Sequence, residues 1–164
     1  RYEALAKFGR TDVVMREIRE KWAIMPSVAL NNTLQEFWTV SPDSGDQWSH
    51  CAIVPLYVFY NDIAGIRATT PGFANCQIRP QLADVNSLSL TYYTVRGSIK
   101  FAAQRQTEGL QMKISIPQDC NSELLLPKEQ TTTLTEILPN HPLGLKRFKL
   151  PSGQESSFVI RQGN

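Results

Sequence analysis

Residues 88–116 read LSLTYYTVRGSIKFAAQRQTEGLQMKISI, and apolar side chains occupy every second position in three parts of this stretch. The alternating apolar residues are Leu88, Leu90 and Tyr92, then Ile99, Phe101 and Ala103, then Leu110, Met112, Ile114 and Ile116. A period of two places these side chains on one face of an extended strand. Gly97 and Gly109 separate the three runs, so the segment predicts consecutive strands joined by tight turns.

Shorter strand patterns follow on both sides of this segment. We expect strands at residues 77–79, 123–126, 145–150 and 157–161. Several short strands with regular turn signals are typical of an antiparallel sandwich. The sequence therefore predicts a C-terminal antiparallel β-sandwich over residues 67–164.

The first 66 residues have a helical period instead. Val14, Ile18 and Trp22 recur at intervals of four, and Pro26 is expected to end that helix. Tyr2 to Phe8 has the pattern of a helix end, and a third, longer helix is predicted from Gln47 to Ala64. Pro55 should kink it, and Gly65 should cap it in a left-handed conformation.

The predicted fold class is α+β, with a helical piece at residues 1–66 and the sandwich after it. The apolar side of the long helix is expected to comprise Trp48, Ala52, Leu56, Phe59, Tyr60 and Ile63. Three helices cannot cover all of their own apolar surface, so this part should need neighbours outside the 164 residues. The chain also begins with Arg1 in a helical pattern, which indicates a piece of a longer protein.

Composition excludes several classes of protein. Lys+Arg number 17 and Asp+Glu 15, a formal charge of +2, and the basic residues are dispersed, which argues against nucleic acid as a partner. The longest apolar run, from Cys51 to Tyr60, is far too short to span a membrane. Three widely spaced cysteines and two histidines suggest no metal site, and no cofactor motif is present.

Glu36 is the carboxylate with the strongest case for chemistry. It lies between predicted helices, is followed by Phe37 and Trp38, and precedes an Asp-rich loop. Aromatic rings stack on sugar faces and carboxyl groups transfer protons in glycosidases, so this combination suits a sugar site. The alternative is structural, because Thr33-x-x-Glu36 also has the pattern of a helix capping box.

Other polar residues nearby have the same two interpretations. Asp43 and Asp46 are candidates for an acid/base pair with Glu36, or they are ordinary turn and cap residues. His50 is either a substrate contact or a hydrogen-bonded structural residue. Trp38 is the tryptophan most expected to be exposed, and therefore a candidate sugar platform.

Six segments, in this order and spacing, resemble the C-terminal region of bacterial α-L-rhamnosidases. They are residues Tyr2–Asp12, Ile18–Trp22, Asn32–Glu36, Ile63–Ile66, Pro71–Phe73 and Ile78–Gln81. The resemblance covers about residues 1–127. It implies an inverting glycoside hydrolase with a catalytic (α/α)6 barrel followed by a β-sandwich. Residues 1–66 would then be the last helices of that barrel.

The resemblance also implies roles for individual residues. A Glu after a Thr-Thr-apolar-Trp stretch is the general base of that family, and Glu36 occupies this position. Gln35 stands where the family pattern has Trp. His50 is the nearest equivalent of a histidine that lines the family's sugar pocket, and Trp38 is the accompanying aromatic candidate. The general acid would lie upstream of Arg1.

The expected partners are therefore a rhamnose-containing oligosaccharide, polysaccharide or glycoside and the upstream barrel of the same chain. The 164 residues by themselves should be inactive, because a twelve-helix barrel needs roughly 220 residues. Two alternatives stay open. In the first alternative, the chain is a non-catalytic carbohydrate-binding sandwich whose binding aromatics are Tyr92, Tyr93 or Phe101. In the second, it is part of a glycosidase of the same fold that acts on another sugar.

Overall fold

The computed structural model describes residues 1–38, 53–139 and 141–163. Its helices precede its strands, apart from one short 3₁₀ turn at Pro71–Phe73. The helices are α1 (Tyr2–Lys7), α2 (Thr11–Glu17), α3 (Pro26–Asn31) and α4 (Val54–Val58). Two of them continue into π-helical turns, α2 into Ile18–Trp22 and α4 into Phe59–Ile63.

In the described residues, ten strands form two five-stranded sheets. They are β1 (Ile66–Ala68), β2 (Asn75–Ile78), β3 (Ser87–Thr94), β4 (Gly97–Gln106), β5 (Gly109–Ser115), β6 (Asn121–Leu126), β7 (Gln130–Thr131), β8 (Glu136–Ile137), β9 (Lys146–Leu150) and β10 (Glu155–Gln162). One sheet has the order β1-β2-β6-β9-β8 and the other β3-β4-β5-β10-β7. The predicted β-sandwich is thus confirmed.

The alternating segment forms the centre of the second sheet. β4 pairs antiparallel with β3 and with β5, and Phe101 stands opposite Leu90 on one side and Ile114 on the other. Phe101, Met112 and Ile114 are almost completely buried. Their burial follows from the period of two, since every second side chain of β4 and β5 points at the facing sheet.

One strand pair departs from the antiparallel expectation. β2 and β6 run parallel, with Cys76 opposite Ser122 and Ile78 opposite Leu124. The hairpin strands β3, β4 and β5 lie between them in sequence and belong to the other sheet. The chain therefore crosses between sheets before it returns beside β2, and this crossover permits the parallel direction.

The helices share one buried core with the sandwich. Val14, Met15 and Ile18 of the second helix and Val58 and Ile63 of the fourth belong to the same buried cluster as Phe101 and Leu124. Ile63, Ala64 and Ile66 are fully buried where the chain passes from helix to strand. The core is therefore continuous across residue 66.

The predicted helix from Gln47 to Ala64 needs correction. Residues 47–52 lie outside the described part of the chain, and the described helix begins at Val54. Pro55 occupies its first turn, where a missing N–H costs no helical hydrogen bond, so it does not kink the helix. Leu56 was expected on the apolar side but is 59% exposed, whereas Pro55 and Val58 are buried.

Candidate functional site

The loop after α3 carries Glu36. α3 ends at Asn31, and the next residue, Asn32, adopts the left-handed conformation that asparagine tolerates at a helix C-terminus. The chain then turns back along α3 through Thr33 and Gln35. Glu36 is exposed on this loop, and Phe37 and Trp38 follow it with 56% and 55% of their surface exposed.

The loop is fastened to the first turn of α3 at Ser27, which is fully buried. The Ser27 hydroxyl donates to the Thr33 carbonyl at 2.8 Å, and the Thr33 N–H donates to the Ser27 carbonyl at 3.3 Å. The Ser27 N–H, which lies in the first helical turn and has no partner within the helix, donates to Gln35 Oε1 at 3.3 Å. These bonds fix the backbone just before Glu36.

The capping-box interpretation of Glu36 does not fit this geometry. Residues 33–38 are not helical. The buried hydroxyl of Thr33 has no hydrogen-bond partner among the described residues, so it does not cap a backbone N–H there. Glu36 is therefore an exposed loop carboxylate, and its chemical role stays a prediction.

Trp38 contacts Trp22, the last residue of the first π-helical turn. Their ring centroids are 4.9 Å apart in an edge-to-face arrangement. Trp22 is half-buried, and its indole N–H donates to the hydroxyl of Tyr2 at 3.2 Å. Trp38 also lines a hollow of about 480 Å³ together with Glu20, Lys21, Ile24, Met25 and Pro26. An aromatic wall with charged neighbours can accept a sugar ring.

Four of the residues that the sequence analysis considered for the site lie outside the described part of the chain. They are His50, Asp43, Asp46 and Trp48. The structure therefore brings together Glu36 and Trp38 only, on one short loop. Sequence reasoning missed Gln35, a polar residue with 1% of its surface exposed, and Glu20 beside Trp38. The burial of Gln35 and the proximity of Glu20 to Trp38 correspond to no periodic pattern in this part of the sequence.

The aromatics of the carbohydrate-binding alternative do not form a common surface. Phe101 is buried in the core. Tyr92 is half-buried and packs against Tyr60 and Phe73 at centroid distances of 5.5 and 5.0 Å. Tyr93 is 83% exposed and points away from these rings, as alternation along β3 requires.

A second cavity lies between the helices and the first sheet. Its volume is about 360 Å³, and its walls include Glu3, Asp62, Arg67, Arg79 and His141. Arg67 binds the buried carboxylate of Asp62 at 2.5 Å and approaches Glu3 at 3.5 Å. Tyr57 donates to Glu3 at 2.6 Å, and this bond is the main reason that the pKa of Glu3 is lowered. These pairs hold the helices against β1.

The described residues include no group of three or more His, Cys, Asp or Glu side chains placed to hold a metal ion. In the same residues, no helix has both the length and the apolar character needed to cross a membrane.

The fold defines a class of domain in which helices pack on a sandwich of one mixed and one antiparallel sheet. A loop with acidic and aromatic side chains lies on the helical side. Residues 65–137 match the family model described as the bacterial alpha-L-rhamnosidase C-terminal domain. This match confirms the resemblance to bacterial α-L-rhamnosidases seen in the sequence.

Two solved structures share the fold of this chain. An alpha-L-rhamnosidase from Streptomyces avermitilis, crystallised with L-rhamnose, has a TM-score of 0.71 and 21% identity over 94% of this chain. An alpha-L-rhamnosidase from Dictyoglumus thermophilum has a TM-score of 0.58 and 22% identity over 79% of this chain. The chain spans 16% of the length of each. No curated protein matches.

Proposed function

We propose that these residues are the C-terminal part of an α-L-rhamnosidase that hydrolyses terminal α-L-rhamnosyl bonds with inversion. The observation that carries the proposal is the extent of the structural likeness. The family model begins at residue 65, but the likeness to the Streptomyces avermitilis enzyme covers 94% of the chain. The unmatched 6% is too short to contain residues 1–64, so the likeness extends into the helical part, which supports the proposal.

The surface of the helical part supports a division into barrel helices at residues 1–66 and sandwich at residues 67–164. Large apolar side chains that are more than half exposed concentrate in the helical part: Phe8, Ile24, Leu30, Phe37, Trp38, Ile53 and Leu56. Exposed apolar surface is typical of an interface where it forms one patch. We propose that the upstream helices of the same barrel cover it and that the sandwich braces these last helices.

In this proposal Glu36 is the general base, and Trp38 and His50 contact the sugar. During inversion a carboxylic acid protonates the glycosidic oxygen, while a carboxylate takes a proton from the water that attacks the opposite ring face. The two carboxyl groups of such enzymes stand roughly 6.5–9.5 Å apart, which leaves room for that water. Glu36 is exposed and anchored through its neighbours, as a base must be. The acid would come from the upstream part of the barrel.

The test is hydrolysis of an aryl α-L-rhamnoside by the longer protein that contains these residues. Glu36→Gln should lower kcat by about 10²–10⁴-fold, because a positioned acid or base contributes that much. Glu108→Gln is the matched control, since Glu108 is an exposed carboxylate in the β4–β5 turn whose side chain lies 3.8 Å from Arg161. It should leave kcat unchanged. Proton NMR of the first product should show the inverted anomer.

Two results would contradict this proposal. Unchanged turnover in Glu36→Gln would remove Glu36 from the reaction, and a first product with retained configuration would exclude inversion. The 164-residue chain alone should not hydrolyse the substrate, because the proposed acid is outside it. Hydrolysis of a different aryl glycoside in place of the rhamnoside would move the assignment to another sugar.

A further inference from the structure

The side chain of Gln35 is buried beside the exposed Glu36, with 1% of its surface accessible. Its amide is bonded at both ends. Oε1 accepts from the Ser27 N–H at 3.3 Å, and Nε2 donates to the Phe37 carbonyl at 2.7 Å. A buried amide is retained at low cost only where such partners exist.

The bond to Phe37 closes a ring around Glu36. It runs from the side chain of Gln35 to the carbonyl two residues later, so the whole backbone of Glu36 lies inside the ring. The bond to Ser27 then ties this ring to the first turn of α3. Together the two bonds restrict the backbone dihedral angles of Glu36 and fix the position of its Cα relative to the helix.

We propose that Gln35 is the positioning residue of Glu36, and that it sets the direction in which the carboxylate leaves the loop. This inference rests on the proposed role of Glu36 as general base. Gln35 itself is buried and acts through the backbone, so it is not a catalytic residue.

The reason that position matters is the geometry of inversion. The base must hold a water molecule at the correct distance from the sugar, and a displacement of about 1 Å can cost about 10²-fold in rate. Removing the amide of Gln35 would also leave the Ser27 N–H and the Phe37 carbonyl without these partners, and such groups rearrange to find others. The loop that carries Glu36 would then move.

The experiment measures kcat, KM and the pH profile of the longer protein on an aryl α-L-rhamnoside. Gln35→Met keeps the side-chain volume but removes both hydrogen bonds. Gln35→Glu keeps an acceptor for the Ser27 N–H but replaces the amide N–H that donates to the Phe37 carbonyl with a carboxyl oxygen. Ser122→Ala is the control, because it removes a buried hydrogen bond, from Ser122 Oγ to the Leu150 carbonyl, in the distant sandwich.

We expect Gln35→Met to lower kcat by about 10-fold to 10²-fold with little change in KM. The same substitution in a Glu36→Gln background should cause no further loss, because the group that it positions is already gone. Gln35→Glu should lower kcat most at high pH, because the new carboxyl group donates to the Phe37 carbonyl only while it is protonated. Ser122→Ala should change neither kcat nor the profile.

Several outcomes would overturn the inference. The inference fails if Gln35→Met and Gln35→Glu both retain kcat across the pH range. It also fails if Gln35→Met causes the same fold-loss with and without Glu36. Loss of the folded state in both variants, judged by circular dichroism, would give Gln35 a purely structural role. If Glu36→Gln alone keeps full activity, the proposed function fails instead, whatever the Gln35 variants do.

Discussion

Gly65 lies where the helices meet the sandwich, and both its backbone conformation and its close contact with Arg79 require a residue without a side chain. Its φ is +73°, in the left-handed region, and a Cβ there would lie 1.9 Å from the Arg79 carbonyl oxygen. Two backbone hydrogen bonds surround this contact, from the Arg79 N–H to the Gly65 carbonyl at 3.0 Å and from the Gln81 N–H to the Ile63 carbonyl at 2.9 Å. Gly65→Ala should therefore destabilise the chain strongly.

Gly9 provides a matched comparison. Its φ is +74°, but a Cβ at Gly9 would meet no atom within 4 Å. Gly9→Ala should cost only the left-handed conformation, about 1–2 kcal/mol, less the roughly 0.4–1 kcal/mol that alanine regains through the unfolded state. The difference between the two substitutions thus isolates the effect of the close backbone approach.

The size of that difference follows from the displacement required. An ordinary Cβ···O contact begins at 3.4 Å, so the Arg79 carbonyl would have to move by 3.4 − 1.9 = 1.5 Å. Such a movement breaks or weakens both hydrogen bonds, each of which contributes about 0.5–1.5 kcal/mol, and leaves buried groups unpaired at about 1–3 kcal/mol. Gly65→Ala should therefore cost at least about 2 kcal/mol more than Gly9→Ala.

Urea unfolding of the 164-residue chain, followed by circular dichroism and tryptophan fluorescence, measures both free energies. Coincident transitions from the two signals would justify a two-state treatment. A third variant, Gly144→Ala, should behave like Gly9→Ala, because its φ is +74° and its Cβ would meet only Lys128 Cε at 3.7 Å. Equal losses for Gly65→Ala and Gly9→Ala, within about 0.5 kcal/mol, would refute the reasoning.

Two further predictions concern groups in the first sheet. Arg147 on β9 donates to both carboxylate oxygens of the half-buried Glu123 on β6. This pairing holds the pKa of Glu123 below its usual range. A lowered pKa gives stability that is present above the unfolded pKa of about 4.3 and is lost as the pH falls below it. Glu123→Gln should therefore have a lower free energy of unfolding at pH 7, and urea titrations should show the difference from the unsubstituted chain closing towards pH 3. A difference that does not depend on pH would contradict the ion-pair assignment. Cys76 and Cys120 are buried with their sulfur atoms 3.5 Å apart, and burial raises the pKa of the Cys76 thiol. Peptide mapping after iodoacetamide treatment at pH 8 should find both cysteines unmodified in the native chain and modified in urea. Rapid labelling of the native chain would instead show that this part of the core opens.

Much of the sandwich follows from local pattern. The alternation around Phe101 and Ile114 predicted strands because extended backbone sends neighbouring side chains to opposite faces, and the structure buries these residues. Gly65 was expected in a left-handed cap, and its φ of +73° confirms this. Strands of two or three residues, such as β1 and β8, escaped prediction because they are shorter than any repeat of the pattern.

What the sequence determined by itself was therefore the existence of most of the longer strands and the family resemblance. Tertiary structure alone decided the rest. The parallel pairing of β2 with β6 depends on which sheet receives the intervening hairpins, and the exposure of Leu56 depends on which neighbours its helix has. The burial of Gln35 depends on the approach of a loop to a helix turn eight residues away. Local periodicity carries no information about such contacts, because they join segments whose spacing in sequence is unrelated to any repeat.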